Sequence, residues 1–194
     1  MRKAPRQARS RATLEAMLDA TARILGERGW AGITTNAVAE TAGVSIGSLY
    51  QYFPNKLALV EAVRRRHYDD VLAVLRTATD AETPRVRRIA AFVDGMIAAH
   101  NRYPAAHHVL LQQAPHDGAA SATQHAFGRD YRKGCEAFHR ANARHPATGD
   151  AKLRAQVLAS AVAGVVHEAA CRGTLSLALR RELLTLIDAY LSRR

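Results

Sequence analysis

Side chains suited to contact DNA are concentrated in one stretch of the chain, TTNAVAETAGVSIGSLYQYFPNK, which runs from Thr34 to Lys56. Its hydroxyl and amide groups can hydrogen-bond phosphate oxygens or base edges, and its lysine can neutralise a phosphate. A glutamine is suited to bidentate reading of adenine, and an isoleucine can meet a thymine methyl. The residues that we predict to contact DNA are Thr34, Thr35, Ser45, Ile46, Gly47, Ser48, Tyr50, Gln51, Tyr52 and Lys56, with Arg9 upstream.

Several of these residues also have a purely structural interpretation. Ser45 is a good helix N-cap and need do nothing more. The ring of Tyr50 is expected to lie partly in the core, and Gln51 can face solvent. Gly47 allows the backbone to approach the groove closely, and the hydroxyls of Tyr50 and Tyr52 are placed to reach phosphate.

The spacing of caps and breakers predicts a helix-turn-helix around these residues. Thr34 or Thr35 caps a short helix over Asn36–Thr41, and Gly43 lies where the chain must turn sharply. Ser45 opens a second helix over Ile46–Phe53, the expected recognition helix, and Pro54 ends it. The small core between the two helices is predicted to contain Val38, Val44 and Leu49.

This stretch resembles the DNA-binding signature of the tetracycline-repressor (TetR/AcrR) family. The matching elements are Thr35, Val38–Ala39, Ala42–Gly43–Val44–Ser45, Gly47, Leu49–Tyr50, Tyr52–Phe53 and Lys56. The resemblance implies a transcriptional regulator, with repression as the family default, and a dimer that a small effector releases from DNA. By the same resemblance, the usual DNA-contact positions of the family fall on Thr35, Ser45, Ser48, Tyr50, Tyr52 and Lys56.

Helical periodicity continues through the remainder of the chain, so we predict an all-α fold of about nine helices. A basic, disordered arm is expected over residues 1–10, and the three-helix DNA-binding domain over residues 11–57. A larger helical domain for effector binding and dimerisation is expected over residues 58–194. The predicted helices are 11–28, 36–41, 46–53, 56–79, 85–101, 104–113, 123–143, 150–172 and 177–191.

Aromatic, sulfur and imidazole side chains recur on the middle helices of the larger domain. They predict an effector pocket, although such a stripe at helical spacing also fits plain core packing. The candidate residues are Met96, His100, Phe127, Tyr131, Cys135, Phe138 and His167. Two i, i+4 pairs, Cys135 with His139 and His167 with Cys171, offer a Cys₂His₂ zinc set if their helices touch. Scattered, inert side chains are the plainer interpretation, and we predict no metal and no cofactor.

The last two helices are strongly apolar, and the first of them contains many small residues. This pattern is typical of a self-complementary four-helix interface across a twofold axis, the alternative being a core within one chain. We predict a homodimer through Val157, Ala161, Val165, Leu179, Leu183, Ile187, Tyr190 and Leu191.

Composition indicates a double-stranded DNA partner when combined with the motif. Lysine and arginine number 28 against 17 acidic residues, a net charge of +11, which favours a polyanion. Two cysteines fit a reducing compartment, and no apolar run reaches the ~18–20 residues of a membrane span. We therefore expect a cytoplasmic, non-membrane protein. A cysteine–histidine nucleophile pair lacks a third orienting residue, so an enzyme is disfavoured. The remaining alternatives are an activator and a nonspecific DNA-architectural protein.

Overall fold

A computed structural model of the chain describes residues 8–110, 118–145 and 150–193, and over these ranges the chain is helical and contains no strand. The all-α prediction is confirmed, with nine helices in the described ranges. They are α1 Ala8–Gly32, α2 Thr35–Thr41, α3 Ile46–Tyr52, α4 Lys56–Thr77, α5 Arg85–Asn101, α6 Pro104–His108, α7 Gly118–Asn142, α8 Ala151–Cys171 and α9 Leu177–Leu191.

Two helices begin earlier than the sequence predicts. The first starts at Ala8, so the last three residues of the predicted arm are helical, while residues 1–7 lie outside the described residues. The helix predicted from about Thr123 starts at Gly118. The intervening Ala119, Ala120 and Ala122 explain the difference, since alanine has the highest helix propensity. Residues 111–113, predicted to end the sixth helix, also lie outside the described residues.

Glycines make the two sharp changes of direction around the motif. Gly29 interrupts α1 with φ 65° and ψ −172°, at the place where the sequence predicts the helix to stop. Gly43 has φ 65° in the turn between α2 and α3. Only glycine takes such positive φ values without a steric penalty. The chain therefore turns before the helix-turn-helix at Gly29 and between its two helices at Gly43, two positions that need the backbone freedom of glycine.

The chain divides into two compact units, residues 1–67 with 103–120 and residues 68–102 with 121–194. The division lies within α4, later than the boundary expected after residue 57. In the first unit, side chains of α1 to α4 and α6 enclose a core that includes Leu25, Ile33 and Phe53. The predicted core residues Val38 and Leu49 are fully buried there, and Val44 packs against them.

The second unit has its own core between α5, α7, α8, α9 and the last part of α4. The rings of Phe92 and Phe138 stack at its centre with 4.3 Å between their centroids. Arg180 of α9 donates to Asp94 of α5 from Nη2 at 2.8 Å. This hydrogen bond holds the pKa of the Asp94 carboxyl below its usual range, so the carboxylate stays charged and ties the two helices together.

Candidate nucleic-acid interface

Helix α3 presents a compact exposed face and buries the opposite one. Ile46 and Tyr50 are 38% and 43% exposed, and Gly47 and Gln51 are exposed beside them. Positions i, i+1, i+4 and i+5 share one side of an α-helix. On the other side Leu49 is fully buried in the core of the first unit. Core packing thus fixes α3 while its apolar, amide and phenol groups remain accessible.

Hydroxyl groups cap both helices of the motif. Thr34, rather than Thr35, caps α2, because its side chain accepts a hydrogen bond from the Ala37 amide at 3.1 Å. Ser45 caps α3 by accepting from the Ser48 amide at 3.1 Å. The Ser45 and Ser48 hydroxyls are also 2.8 Å apart. The structural role anticipated for Ser45 is therefore present, and both serines remain at the edge of the exposed face.

The two tyrosines of α3 occupy different environments. The Tyr50 hydroxyl lies 3.1 Å from Oγ1 of Thr35, so a hydrogen bond joins α3 to the first residue of α2. Tyr52 departs from the expected phosphate contact, because it is only 6% exposed and belongs to the core. Its position after Leu49 places it on the buried side of the helix. Tyr52 packs α3 against the core, and Tyr50 is the accessible phenol.

Lys56 begins α4 beside the motif. Its Nζ lies 4.4 Å from the centroid of the Trp30 ring, a distance at which a cation is attracted to an aromatic face. Asn55 caps the same helix by accepting from the Ala58 amide at 2.9 Å. The sequence gives no sign of the Trp30 contact. The side chain of Arg9, predicted to contact DNA, lies outside the described part of the chain.

Charge is sparse in the motif itself. From Thr34 to Lys56 the sequence contains one acidic residue, Glu40, and one basic residue, Lys56. The exposed face of α3 is therefore neutral, and hydrogen-bonding and apolar groups dominate it.

Arg66 of α4 makes side-chain contacts with other elements of the first unit. Arg66 donates from Nη1 to Glu15 and Asp19 of α1, both at 2.8 Å. Its guanidinium lies 5.2 Å from the ring centroid of Tyr103, whose hydroxyl donates to Asp19. This network fixes α4 against α1. The sequence does not reveal this network, because a run of three arginines usually indicates an exposed charge cluster.

Arg64 is fully buried. Its Nε and Nη2 donate to the Leu110 carbonyl oxygen at 3.1 and 2.8 Å, and it also pairs with Glu61. The fork geometry of a guanidinium suits one carbonyl oxygen and one carboxylate together. A run of arginines on a helix usually forms a solvated face, and Arg64 departs from that tendency.

The predicted effector-pocket residues fall into two groups in the second unit. Tyr131 and Cys135 line a cavity of about 410 Å³ between α7 and α8. Met96, His100 and Phe138 are buried, and Phe127 stacks on Tyr68 with 4.0 Å between ring centroids. His167 lies 3.8 Å from the Cys171 sulfur. For the residues other than Tyr131 and Cys135, a place in a pocket stays a prediction.

The four residues of the hypothetical zinc set do not come together. Within the described residues, neither Cys135 nor His139 belongs to a cluster of three or more potential ligands. Burial raises the pKa of the Cys135 thiol to about 11 and also raises that of Cys171. A protonated thiol is a poor nucleophile.

The predicted dimer residues are partly inside the second unit. Leu183, Ile187 and Leu191 are buried in its core, so their side chains cannot contact a second copy while α9 is packed there. They lie on the inner side because α9 packs with α5. Val157 and Val165 of α8 are exposed, 47% and 41%. Leu153 and Leu186, absent from the prediction, are exposed as well.

None of the described helices combines the length and the apolar character that a membrane span requires.

Two family models match the chain. A model of the N-terminal part of bacterial regulatory proteins of the tetR family matches residues 17–63. A model of a tetracyclin repressor-like C-terminal domain matches residues 84–191. The first match contains the helix-turn-helix, and the second extends from α5 to α9.

The curated relatives are transcriptional regulators. The repressor KstR of Mycolicibacterium smegmatis is 33% identical over 45% of this chain and 43% of its own length. The activator FasR of the same organism is 35% identical over 40% of this chain and 36% of its own. The matched region is thus less than half of either relative. The structure of Bacillus subtilis FadR in complex with stearoyl-CoA shares the fold, with a TM-score of 0.71 and 14% identity over 91% of this chain and 98% of FadR.

Proposed function

Because the chain belongs to the TetR family of helix-turn-helix transcriptional regulators, we propose that it is a dimeric repressor that binds a palindromic operator and leaves it when a small molecule binds the second unit. The observation that carries the DNA-binding half of this proposal is the exposed face of α3, in a helix-turn-helix whose two helices are capped by Thr34 and Ser45. Its neutral surface favours reading of base edges over simple attraction to phosphate.

Each exposed residue of that face has a role in the proposal. Gln51 hydrogen-bonds a base edge, adenine most naturally, and Ile46 contacts a thymine methyl. Gly47 has no atom closer than 3.9 Å to the place where a side chain would begin, so the backbone can approach the groove. Tyr50 and Thr35, already hydrogen-bonded to each other, contact phosphate as a pair. Lys56 contacts the backbone from the start of α4.

A second copy of the chain is proposed to cover the exposed apolar residues of α8 and α9. Leu153, Val157 and Val165 recur at i, i+4 and i+12 on one side of α8, with Ala161 between them. A side chain added at Gly164 beside them would meet no other group within 4 Å, so the space there permits close approach of another helix. Exposed apolar groups in such a row mark interaction surfaces. Twofold symmetry then pairs two recognition helices with two half-sites.

Ligand control is supported by the cavity between α7 and α8 and by the FadR structure, which contains stearoyl-CoA. A ligand releases DNA only if it binds the released state more tightly than the DNA-bound state. The sign of regulation has one specific alternative, activation, since FasR is an activator.

A genome-wide binding profile of the full chain tests this function. We expect discrete palindromic sites, and a Gln51→Ala variant whose preferred sequence differs at one position of each half-site. Sites overlapping promoters indicate repression, and sites upstream of them indicate activation. Uniform coverage of the genome would show a nonspecific architectural protein instead and would refute the proposal.

A further inference from the structure

A second cavity lies where α7 ends and α8 begins, and most of its charged lining residues are cationic. Its volume is about 430 Å³, and Arg140, Arg144 and Lys152 line it together with the single carboxylate of Glu136. Arg144 is also paired with Asp188 at 3.9 Å, so the positive charge of the cavity comes chiefly from Arg140 and Lys152. The Asp150 side chain accepts from the amides of Lys152 and Leu153, so the α8 N-terminus is already capped. The cavity therefore attracts anions through side chains rather than through the helix end.

His139 lines this cavity and is only 3% exposed. Within the described residues its Nε2 atom has no hydrogen-bond partner. Buried polar atoms in proteins nearly always have a partner, so an exception points to a ligand or to a functional role. Burial lowers the pKa of His139, with a further contribution from the charge of Arg154. The neutral ring can present an Nε2–H donor to a carboxylate in the cavity.

The cavity of about 410 Å³ between α7 and α8 adjoins this one, because both are lined by Glu136 and Lys152. Its inner surface is less polar. Cys135, Ala155 and Ala159 are buried there, and the ring of Tyr131 lies along it. The burial-raised pKa of Cys135 means that its thiol is neutral. The charged groups of this cavity are Arg132, Glu136 and Lys152, and the last two are shared with the cationic cavity. A cavity with an apolar, partly aromatic inner surface beside a cationic one is the lining that an amphipathic molecule requires.

We propose that the two adjoining cavities form one binding site for a small organic anion with an apolar body. The anionic group lies against Arg140, Lys152 and Nε2 of His139, and the apolar body lies along Tyr131, Cys135 and Ala159. Glu136 offsets part of the positive charge, so the site suits a monoanion such as a carboxylate better than a phosphate dianion. This assignment names the ligand chemistry of the proposed ligand-controlled function and rests on that function only for its effect on DNA.

Calorimetric titration of the full chain with decanoate, decanol and inorganic phosphate tests the site. Decanoate is expected to bind with one site per chain and more tightly than either other compound. Arg140→Gln and Lys152→Gln are each expected to weaken decanoate binding about three- to tenfold, because each removes one partly exposed charged contact. Lys133→Gln removes the same charge from an exposed position of α7 outside both cavities and is expected to leave the affinity unchanged.

Three results would refute the proposed site. They are an absence of saturable decanoate binding, equally tight binding of decanol or phosphate, and an equal loss of decanoate affinity in the Lys133→Gln control. His139→Leu adds a readout that a packing role would not give. It replaces an unpartnered buried polar atom with an apolar one, so the unliganded chain is expected to keep or gain thermal stability while decanoate affinity falls. Unchanged affinity in this variant would exclude His139 from the site.

Release of DNA is measured separately, by anisotropy of a labelled operator duplex during the decanoate titration. Binding without release would refute ligand control through this site and leave the binding assignment intact. An absence of binding would refute the site, and a different molecule that releases DNA would still support ligand control.

Discussion

The buried guanidinium of Arg64 gives the sharpest test of how the first unit is held together. Arg64→Met keeps most of the apolar stem but leaves the Leu110 carbonyl without its two donors and the Glu61 carboxylate without its partner. Breaking a buried ion pair from one side costs about 3–5 kcal/mol. The Glu61 side chain is 16% exposed, so water compensates part of this loss, and we expect about 3 kcal/mol of destabilisation.

Urea unfolding followed by the fluorescence of Trp30 measures this change. Trp30 is the single tryptophan of the chain and packs against the core of the first unit, so its emission reports the unit that contains Arg64. The neighbouring Arg65 is exposed, and Arg65→Met is the matched control, with an expected change within about 0.5 kcal/mol.

Adding Glu61→Leu to Arg64→Met removes the stranded carboxylate and is expected to recover about 1 kcal/mol or more. If the free energy of unfolding of Arg64→Met instead lies within about 1 kcal/mol of that of the unchanged chain, the buried ion pair of Arg64 contributes little to the stability of the first unit, contrary to the prediction.

Three further predictions concern DNA and assembly. Lys56→Gln is expected to reduce the slope of log affinity against log salt by about 0.9 per DNA-bound protomer, measured by anisotropy on a nonspecific duplex; an unchanged slope would exclude the phosphate contact. Tyr50→Phe removes the hydroxyl shared with Thr35 and is expected to weaken operator binding about three- to tenfold, the loss of one or two hydrogen bonds; equal affinity by the same assay would contradict the paired phosphate contact. Val157→Glu places a charge in the proposed dimer face and is expected to yield monomers in light scattering after gel filtration, whereas a persistent dimer would place the interface elsewhere.

The helix-turn-helix is predictable because its information is local. Thr34, Gly43 and Ser45 act on neighbouring amides and dihedral angles, so the sequence spacing alone locates the caps and the turn. Helix ends were less predictable, since α1 begins at Ala8 and α7 at Gly118, ahead of the predicted starts at residues 11 and 123. Both lie in segments where weak propensities decide the boundary.

Side-chain environments that depend on distant segments could not be predicted. The run Arg64–Arg65–Arg66 contains one buried, one exposed and one largely buried arginine, because Leu110 and the acids of α1 are brought to α4 only by the fold. The same is true of Tyr52 and Ile187, which are buried in the cores of the two units although the sequence predicts a DNA contact for the first and a dimer contact for the second. Helical periodicity identifies an apolar side, but it does not say whether the chain's own core or a second copy covers it.

The neutral face of α3 has a consequence for how the protein finds its site in a genome. Nonspecific affinity for duplex DNA grows with the number of phosphates neutralised, and the motif itself offers only Lys56 for that purpose. The remaining positive charge of the chain lies outside the motif. Residence on random sequence is therefore set by those other segments, while the motif adds affinity chiefly where bases match. Basic residues could be added or removed elsewhere to change the search time without altering which sequence is read.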